Sequence, residues 1–172
     1  MKESSVNFSF CPVPKEQQPV NEYEQLKDSW FFSWPTLESP KYWQKLFWAG
    51  FWFALLISPI AAASFPARKQ PILFAIAGLM GTLLSLVLLI LRQYLGWSYV
   101  ADRLRGEKVI YEESGWYDGQ VWKKPPEILL RDRLIVSYEI QPLLQRLQKT
   151  GLILALAIAV DLLLWLWQAN LP

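Results

Sequence analysis

Few side chains in this sequence have a type and spacing that could support chemistry. Asp161 is the most unusual, because it is a carboxylate in the middle of a long apolar run. A charge there costs about 2.5–3.5 kcal/mol on insertion scales, so it is expected to face a bundle interior. Three interpretations stay open: a proton or ligand contact, a neutral or hydrogen-bonded clamp between helices, or a shallower span. Ser58, Thr82 and Ser85 lie at depths that suit a clamp.

The other candidates for catalysis are weak. Glu112 and Glu113 are adjacent in sequence, and neighbouring residues of a strand point to opposite faces, so they do not form a carboxylate pair. Cys11 is a lone thiol in an N-terminal tail, and the chain has no histidine to complete a metal or haem site. The sequence therefore predicts a protein that is not an enzyme and holds no metal.

Long apolar runs set the framework that must position these residues. A helix needs about 20 apolar residues to cross a bilayer. We expect an all-α membrane protein whose three transmembrane helices occupy residues 46–65, 72–91 and 151–169, with a short loop at 66–71. Pro59 should kink the first helix or end it early, because proline removes an amide donor.

The long region between the second and third spans predicts further elements. The second helix should project to about residue 105 and stop before Gly106, since glycine is a good C-terminal cap. Residues 106–125 are β-prone and carry turn pairs, which favours a short β-hairpin. Residues 126–150 predict an amphipathic helical segment in which Pro142 should break or kink the helix.

Basic residues predict the orientation. Fifteen Lys and Arg lie in residues 1–45 and 92–149, whereas the other side holds only Arg68 and Lys69. Because positive residues stay on the cytoplasmic side, the N-terminal segment 1–45 and the long loop should be cytoplasmic or stromal and the C-terminus luminal. The net charge of +2 gives no argument for nucleic acid as a partner. The first apolar run begins too late for a cleavable signal, so we expect it to act as the insertion signal.

Two segments carry a family resemblance. The N-terminal stretch Cys11-Pro-Val-Pro-Lys-Glu-Gln-Gln-Pro-Val-Asn-Glu-Tyr23 and the loop stretch Tyr111-Glu-Glu-Ser-Gly-Trp-Tyr-Asp-Gly-Gln-Val-Trp122 are long and distinctive. They resemble the "conserved in the green lineage and diatoms" family of cyanobacterial and plastid hypothetical-reading-frame membrane proteins. The resemblance implies a thylakoid location and an association with photosynthesis. No cofactor is predicted, and whether chlorophyll or carotenoid is bound stays open.

The composition of both segments favours docking over catalysis. Proline, glycine and aromatic residues make a fixed surface, and tryptophan is a frequent interface anchor. We therefore predict an accessory or assembly protein that docks a photosynthetic membrane complex or a pigment carrier. The alternative is a small transporter or pore component centred on Asp161; the oligomeric state stays open. The partner-binding residues predicted are Cys11, Pro12, Pro14, Tyr23, Glu112, Glu113, Ser114, Gly115, Trp116, Tyr117, Asp118, Gly119 and Trp122.

Overall fold

The computed structural model describes residues 11–111 and 119–169, and its architecture is mostly helical. Three helices are long and apolar enough to cross a membrane, and a two-stranded sheet accompanies them, so these two predictions are confirmed. The elements in chain order are α1 (Pro19–Asp28), α2 (Ser39–Ser64), α3 (Pro71–Arg105), β1 (Lys108–Tyr111), β2 (Gln120–Lys123), α4 (Pro126–Ile135) and α5 (Gln141–Ala169).

Proline marks the starts of the helices. α1, α3 and α4 begin with proline and α2 has Pro40 at its second residue. Proline suits these positions because the first amides of a helix have no intrahelical acceptor and the ring presets a helical φ. Inside α2, by contrast, Pro59 does not end the helix, which continues to Ser64.

Pro142, where the sequence predicts a break or a kink, does not break the helix. A π-helical turn, Val136–Ile140, joins α4 directly to α5, so one continuous helix passes through the proline. Proline removes one helical hydrogen bond, and its ring would clash with the carbonyl four residues earlier, that of Tyr138. The wider π turn lies at that carbonyl, and we infer that it accommodates the ring. The buried side chains of Val136 and Ile140 keep the turn packed into the core.

Helix α3 is the centre of the molecule. It packs against α2 and α5 along the apolar segments and against α1 and α4 beyond them. A Cβ atom at Gly81 would lie 2.7 Å from Cγ2 of Ile57, so α2 and α3 approach closely there. At the other end of α3, Trp97 and Leu104 are fully buried. We call the part built around that end the head; it comprises residues 11–38, 92–111 and 119–150.

Candidate functional site: the head

The N-terminal segment and the hairpin form one body. Val13 is 3% exposed and packs against Val109 and Tyr111 of β1. Cys11 and Trp122, which are half-buried, pack against the same cluster. The two segments that carry the family resemblance are therefore joined in space, although about 90 residues of chain separate them. Their convergence makes the head the candidate site.

The hairpin has one inward and one outward face. Its antiparallel register pairs Val109 with Trp122 and Ile110 with Val121. Because side chains alternate between faces of a strand, Val109, Tyr111 and Trp122 lie inward. The outward face presents Ile110 and Val121, which are 68% and 59% exposed, next to a cross-strand pair of exposed lysines. Those lysines are Lys108 and Lys123.

A cavity of about 160 Å³ lies between the N-terminal segment, the inward hairpin face and α4. Cys11, Trp122 and Ile128 contribute to its walls. Nε2 of Gln18, also in the wall, donates a hydrogen bond to the Val13 carbonyl at 2.9 Å. Among the residues that the structure describes, no group of three or more cysteine or acidic side chains converges to hold a metal ion.

A buried ion pair fixes the exit of the hairpin. Nζ of Lys124 lies 2.8 Å from Oδ2 of Asp132, and both side chains are 1% exposed. The same ammonium donates to the carbonyls of Arg103 and Leu104 at 3.0 Å. These carbonyls belong to the last turn of α3, where no helical amide is available to them. Lys124 therefore joins β2, α3 and α4 at one point.

Helix α1 is attached to the rest of the head by buried and half-buried polar contacts. Tyr23 donates its hydroxyl hydrogen bond to Glu139, and its ring meets Trp97 edge-on with centroids 6.1 Å apart. The hydrogen bond from Tyr23 lowers the pKa of Glu139, whereas burial raises the pKa of Tyr23. Glu22 pairs with Arg103. Burial raises the pKa of Glu22 despite the opposing attraction of that guanidinium.

The aromatic stretch between α1 and α2 is held just as firmly. Nε2 of Gln93 donates to the Phe31 carbonyl at 2.8 Å, and Nε1 of Trp97 donates to the Phe32 carbonyl at 3.0 Å. A guanidinium nitrogen of Arg146 donates to the Pro35 carbonyl at 2.9 Å. Sequence reasoning missed these contacts. The cue was Gln93 one turn before Trp97, a spacing that places both side chains on one face of α3.

The structure places the predicted partner-binding residues in different settings. Cys11, Pro12 and Pro14 are half-buried beside the hairpin, and Gly119 is exposed at the start of β2. Tyr23 is buried in the core beneath α1 instead of on a docking surface. Seven predicted residues lie outside the part of the chain that the structure describes: Glu112, Glu113, Ser114, Gly115, Trp116, Tyr117 and Asp118.

In the described structure the three hydroxyl residues named as possible partners of Asp161 form hydrogen bonds elsewhere. The hydroxyls of Ser58, Thr82 and Ser85 donate to carbonyls of Leu55, Gly78 and Gly81, within their own helices. Asp161 is 1% exposed, and neither of its carboxylate oxygens has a hydrogen-bond partner in the described structure. The difference arises because a hydroxyl can reach the carbonyl three or four residues back in its own helix.

Comparison with known proteins gives one family. The model of the CGLD27-like family, "conserved in the green lineage and diatoms 27", matches residues 11–153, which confirms the resemblance. The chain is 50% identical to the uncharacterized protein ycf36 of Pyropia yezoensis, over 91% of this chain and 95% of that one. It is 48% identical to the chloroplastic protein "conserved in the green lineage and diatoms 27" of Arabidopsis thaliana, over 80% of this chain and 42% of that one.

A relative from Cyanophora paradoxa, also called uncharacterized protein ycf36, is 42% identical over 91% of this chain and 98% of its own length. No solved structure matches the chain. The matched family region takes in the whole of α1, the hairpin and α4. The head is therefore part of what these proteins share in sequence.

Proposed function

We propose that this chain, which belongs to the CGLD27-like family, is an integral thylakoid membrane protein that docks a photosynthetic membrane complex as an accessory or assembly factor. Its Arabidopsis relative is named chloroplastic, which supports a plastid or cyanobacterial setting. Three apolar helices suit an integral membrane protein. The proposal puts the N-terminus and head on the stromal or cytoplasmic side and the C-terminus in the lumen.

One observation carries the docking proposal: the hairpin is rigidly backed on one face and exposed on the other. Val13 and Trp122 pack behind it, so its outward face has a fixed shape before any partner arrives. A fixed surface loses less conformational freedom on binding than a mobile one. Ile110 and Val121 supply apolar area, and the lysine pair beside them favours a partner whose apolar contact has carboxylates along one edge.

The test is co-purification after mild detergent extraction of thylakoids. The double variant Ile110→Ser and Val121→Ser removes the apolar centre of the outward face without touching the buried side of the hairpin. We expect it to accumulate normally and to lose its membrane complex. An absorption spectrum of the purified wild-type protein would show whether chlorophyll or carotenoid accompanies it.

A matched control is Leu130→Ser, which removes a similarly exposed apolar side chain from α4. We expect this variant to keep the complex. Retention of the complex by the hairpin double variant would contradict docking through this face. Loss of the protein itself from the membrane would instead assign Ile110 and Val121 a structural role.

A second candidate function rests on Asp161. A buried carboxylate without a hydrogen-bond partner among the described residues is free to bind a proton or an ion, which favours a small transporter or pore component. Because three helices enclose little space, this function requires several copies of the chain around a path. The test is proton flux into liposomes that contain the protein. Flux with the wild type and its loss in Asp161→Asn would favour this function over docking.

A further inference from the structure

A cluster of aromatic rings, exposed at Trp30, lies where the chain passes from α1 to α2. We call it the aromatic platform; it consists of Trp30, Phe31, Phe32 and Trp34. The Phe31 ring meets the rings of Phe32 and Trp34 edge-on, with centroids 5.0 Å and 5.7 Å apart. Trp30 contacts both Phe31 and Trp34 and is itself 77% exposed. So large an exposed ring on an ordered segment needs an explanation.

Backbone hydrogen bonds fix the platform to helices α3 and α5. Buried Gln93 and Trp97 hold the carbonyls of Phe31 and Phe32, and Arg146 holds the carbonyls of Pro35 and Leu37 just beyond it. The backbone therefore cannot move away from α3. Trp34 is 7% exposed, Phe31 and Phe32 are half-buried, and Trp30 is the ring of these four that faces outward. This arrangement holds the Trp30 ring at a fixed position along α3.

A cation lies over each end of the platform. Nζ of Lys45 is 5.6 Å from the centroid of the Trp34 ring, and the guanidinium carbon of Arg92 is 5.1 Å from that of Phe32. Within residues 11–111 and 119–169, neither cation has a carboxylate within 4.0 Å. Both side chains are exposed, so their N–H groups can be reached by an anion from outside.

Both cations lie at the same depth. A Cβ atom at Gly50 would be 3.5 Å from Leu86, which fixes the register of the antiparallel helices α2 and α3. Lys45 precedes Gly50 by five residues and Arg92 follows Leu86 by six, so both side chains lie about 8 Å beyond this contact on the head side. Residues 72–91 and 46–65 form the apolar segments, so this height is their polar boundary.

We propose that the aromatic platform with Lys45 and Arg92 binds the headgroup of an anionic membrane lipid in the leaflet on the head side. Lys45 and Arg92 contact the phosphate or sulfonate oxygens, and Trp30 lies among the glycerol and upper acyl groups. Tryptophan favours this interfacial depth, and each basic residue near an anionic membrane surface adds attraction. The inference rests on the membrane location in the proposed function but not on docking of a complex.

The experiment uses the full chain in nanodiscs made of equal parts phosphatidylcholine and phosphatidylglycerol, followed by native mass spectrometry of the retained lipids. We expect the wild-type protein to retain phosphatidylglycerol over phosphatidylcholine by about tenfold or more. The double variant Lys45→Gln and Arg92→Gln should lose that preference. Trp30→Ala keeps both cations and should reduce the preference by less.

The matched control is Lys108→Gln with Lys149→Gln, which removes two exposed charges from β1 and α5 and leaves Lys45, Arg92 and the aromatic rings unchanged. It should keep the preference for phosphatidylglycerol. If the control loses this preference equally, the effect comes from net charge alone, and the proposed lipid site is wrong. Displacement of the retained lipid by excess soluble glycerol phosphate would overturn the assignment to a membrane lipid.

Two further results separate this inference from the proposed function. Release of the protein from membranes by alkaline carbonate would contradict the membrane location, and with it both proposals. If the Lys45 and Arg92 double variant keeps its lipid preference but loses a membrane complex, the platform binds an acidic protein surface and the lipid assignment is wrong. Loss of lipid preference with the complex retained supports the lipid site alone.

Discussion

Two aspartates are equally buried but differ in their hydrogen bonding. Asp132 in the head and Asp161 in the third apolar segment are each 1% exposed. Asp132 accepts from Lys124 at 2.8 Å and lies 3.2 Å from Arg131, whereas neither oxygen of Asp161 has a partner in the described structure. In the described structure the buried charge of the head is thus paired, although one oxygen each of Glu22 and Gln93 there lacks a partner, whereas the buried carboxylate of the bundle has none on either oxygen.

The same contrast holds for other polar side chains. In the head, Arg103, Lys124 and Arg146 each donate to backbone carbonyls of a different element, so each of them connects segments distant in sequence. In the apolar segments, Thr82 and Ser85 return to carbonyls of their own helix. Polar substitutions should therefore be costly in the head and tolerated in the bundle.

The largest effect that this comparison predicts is at Lys124. Lys124→Met should destabilise the head by about 3–5 kcal/mol, because it leaves Asp132 buried without its main partner. It also leaves two carbonyls at the end of α3 unpaired. Urea unfolding in nanodiscs, followed by tryptophan fluorescence, measures the loss.

The double variant Lys124→Met with Asp132→Leu is the control for that prediction. It removes both charges, so most of the lost stability should return. Equal instability of the single and double variants would show that the carbonyls of α3, and not the charge of Asp132, determine the cost. A stable Lys124→Met protein would contradict the comparison directly.

Two glycines extend the comparison to packing. A Cβ atom at Gly96 would lie 2.5 Å from Cε1 of Phe32, whereas one at Gly151 would meet nothing within 4 Å. Gly96→Ala should therefore displace the aromatic platform and cost about 1–3 kcal/mol of stability. Gly151→Ala should be neutral or stabilising, since alanine favours a helix over glycine.

The measurement is again urea unfolding, with quenching of Trp30 fluorescence by brominated lipid as a second readout of platform depth. Weaker quenching in Gly96→Ala, and unchanged quenching in Gly151→Ala, is the expected result. Equal stability of the two variants would mean that Phe32 moves aside at little cost.

The sequence predicted what depends on local pattern and missed what depends on distant contact. Apolar length was enough for three helices, and β-prone residues with turn pairs were enough for a two-stranded sheet. Residues 1–45 were assigned no helix, yet α1 forms, because its stability comes from Tyr23 packing against Trp97 about 70 residues later. A short polar helix of this kind has little stability alone.

The candidate site was predicted only in part for the same reason. Cys11 and Trp122 were chosen separately for their composition, and only the fold brings them to one cluster. Lys124 read as an ordinary loop lysine, since nothing local indicates that Asp132 and the end of α3 bury it. At Asp161 the sequence predicted burial. It could not show that the hydroxyls on the other helices donate hydrogen bonds to carbonyls of their own helices.

A smaller effect is expected from pH at the contact between α1 and the π turn. The hydrogen bond from Tyr23 lowers the pKa of Glu139 below its ordinary value of 4.5. A lowered carboxyl pKa contributes stability that is present above pH 4.5 and is lost as the pH falls through the folded-state value. Fluorescence of Trp97, which contacts Tyr23, should change in that acidic range. Glu139→Gln should abolish this change, and a persisting change would assign it to another carboxylate.

The smallest expected effect is at Asp161, where the comparison predicts that removing a buried polar group does little harm. Asp161→Asn keeps the shape, and its cost should stay under about 1 kcal/mol because no partner within the described structure is lost. Asp161→Leu should accumulate at least as well as the wild type, since an apolar side chain suits an apolar bundle. Immunoblots of isolated membranes measure accumulation for both.

Poor accumulation of Asp161→Leu would reveal a partner supplied by another molecule and end the contrast with Asp132. Normal accumulation of both variants with loss of proton flux would make Asp161 a functional carboxylate, so the bundle would hold the chemistry and the head the docking surface.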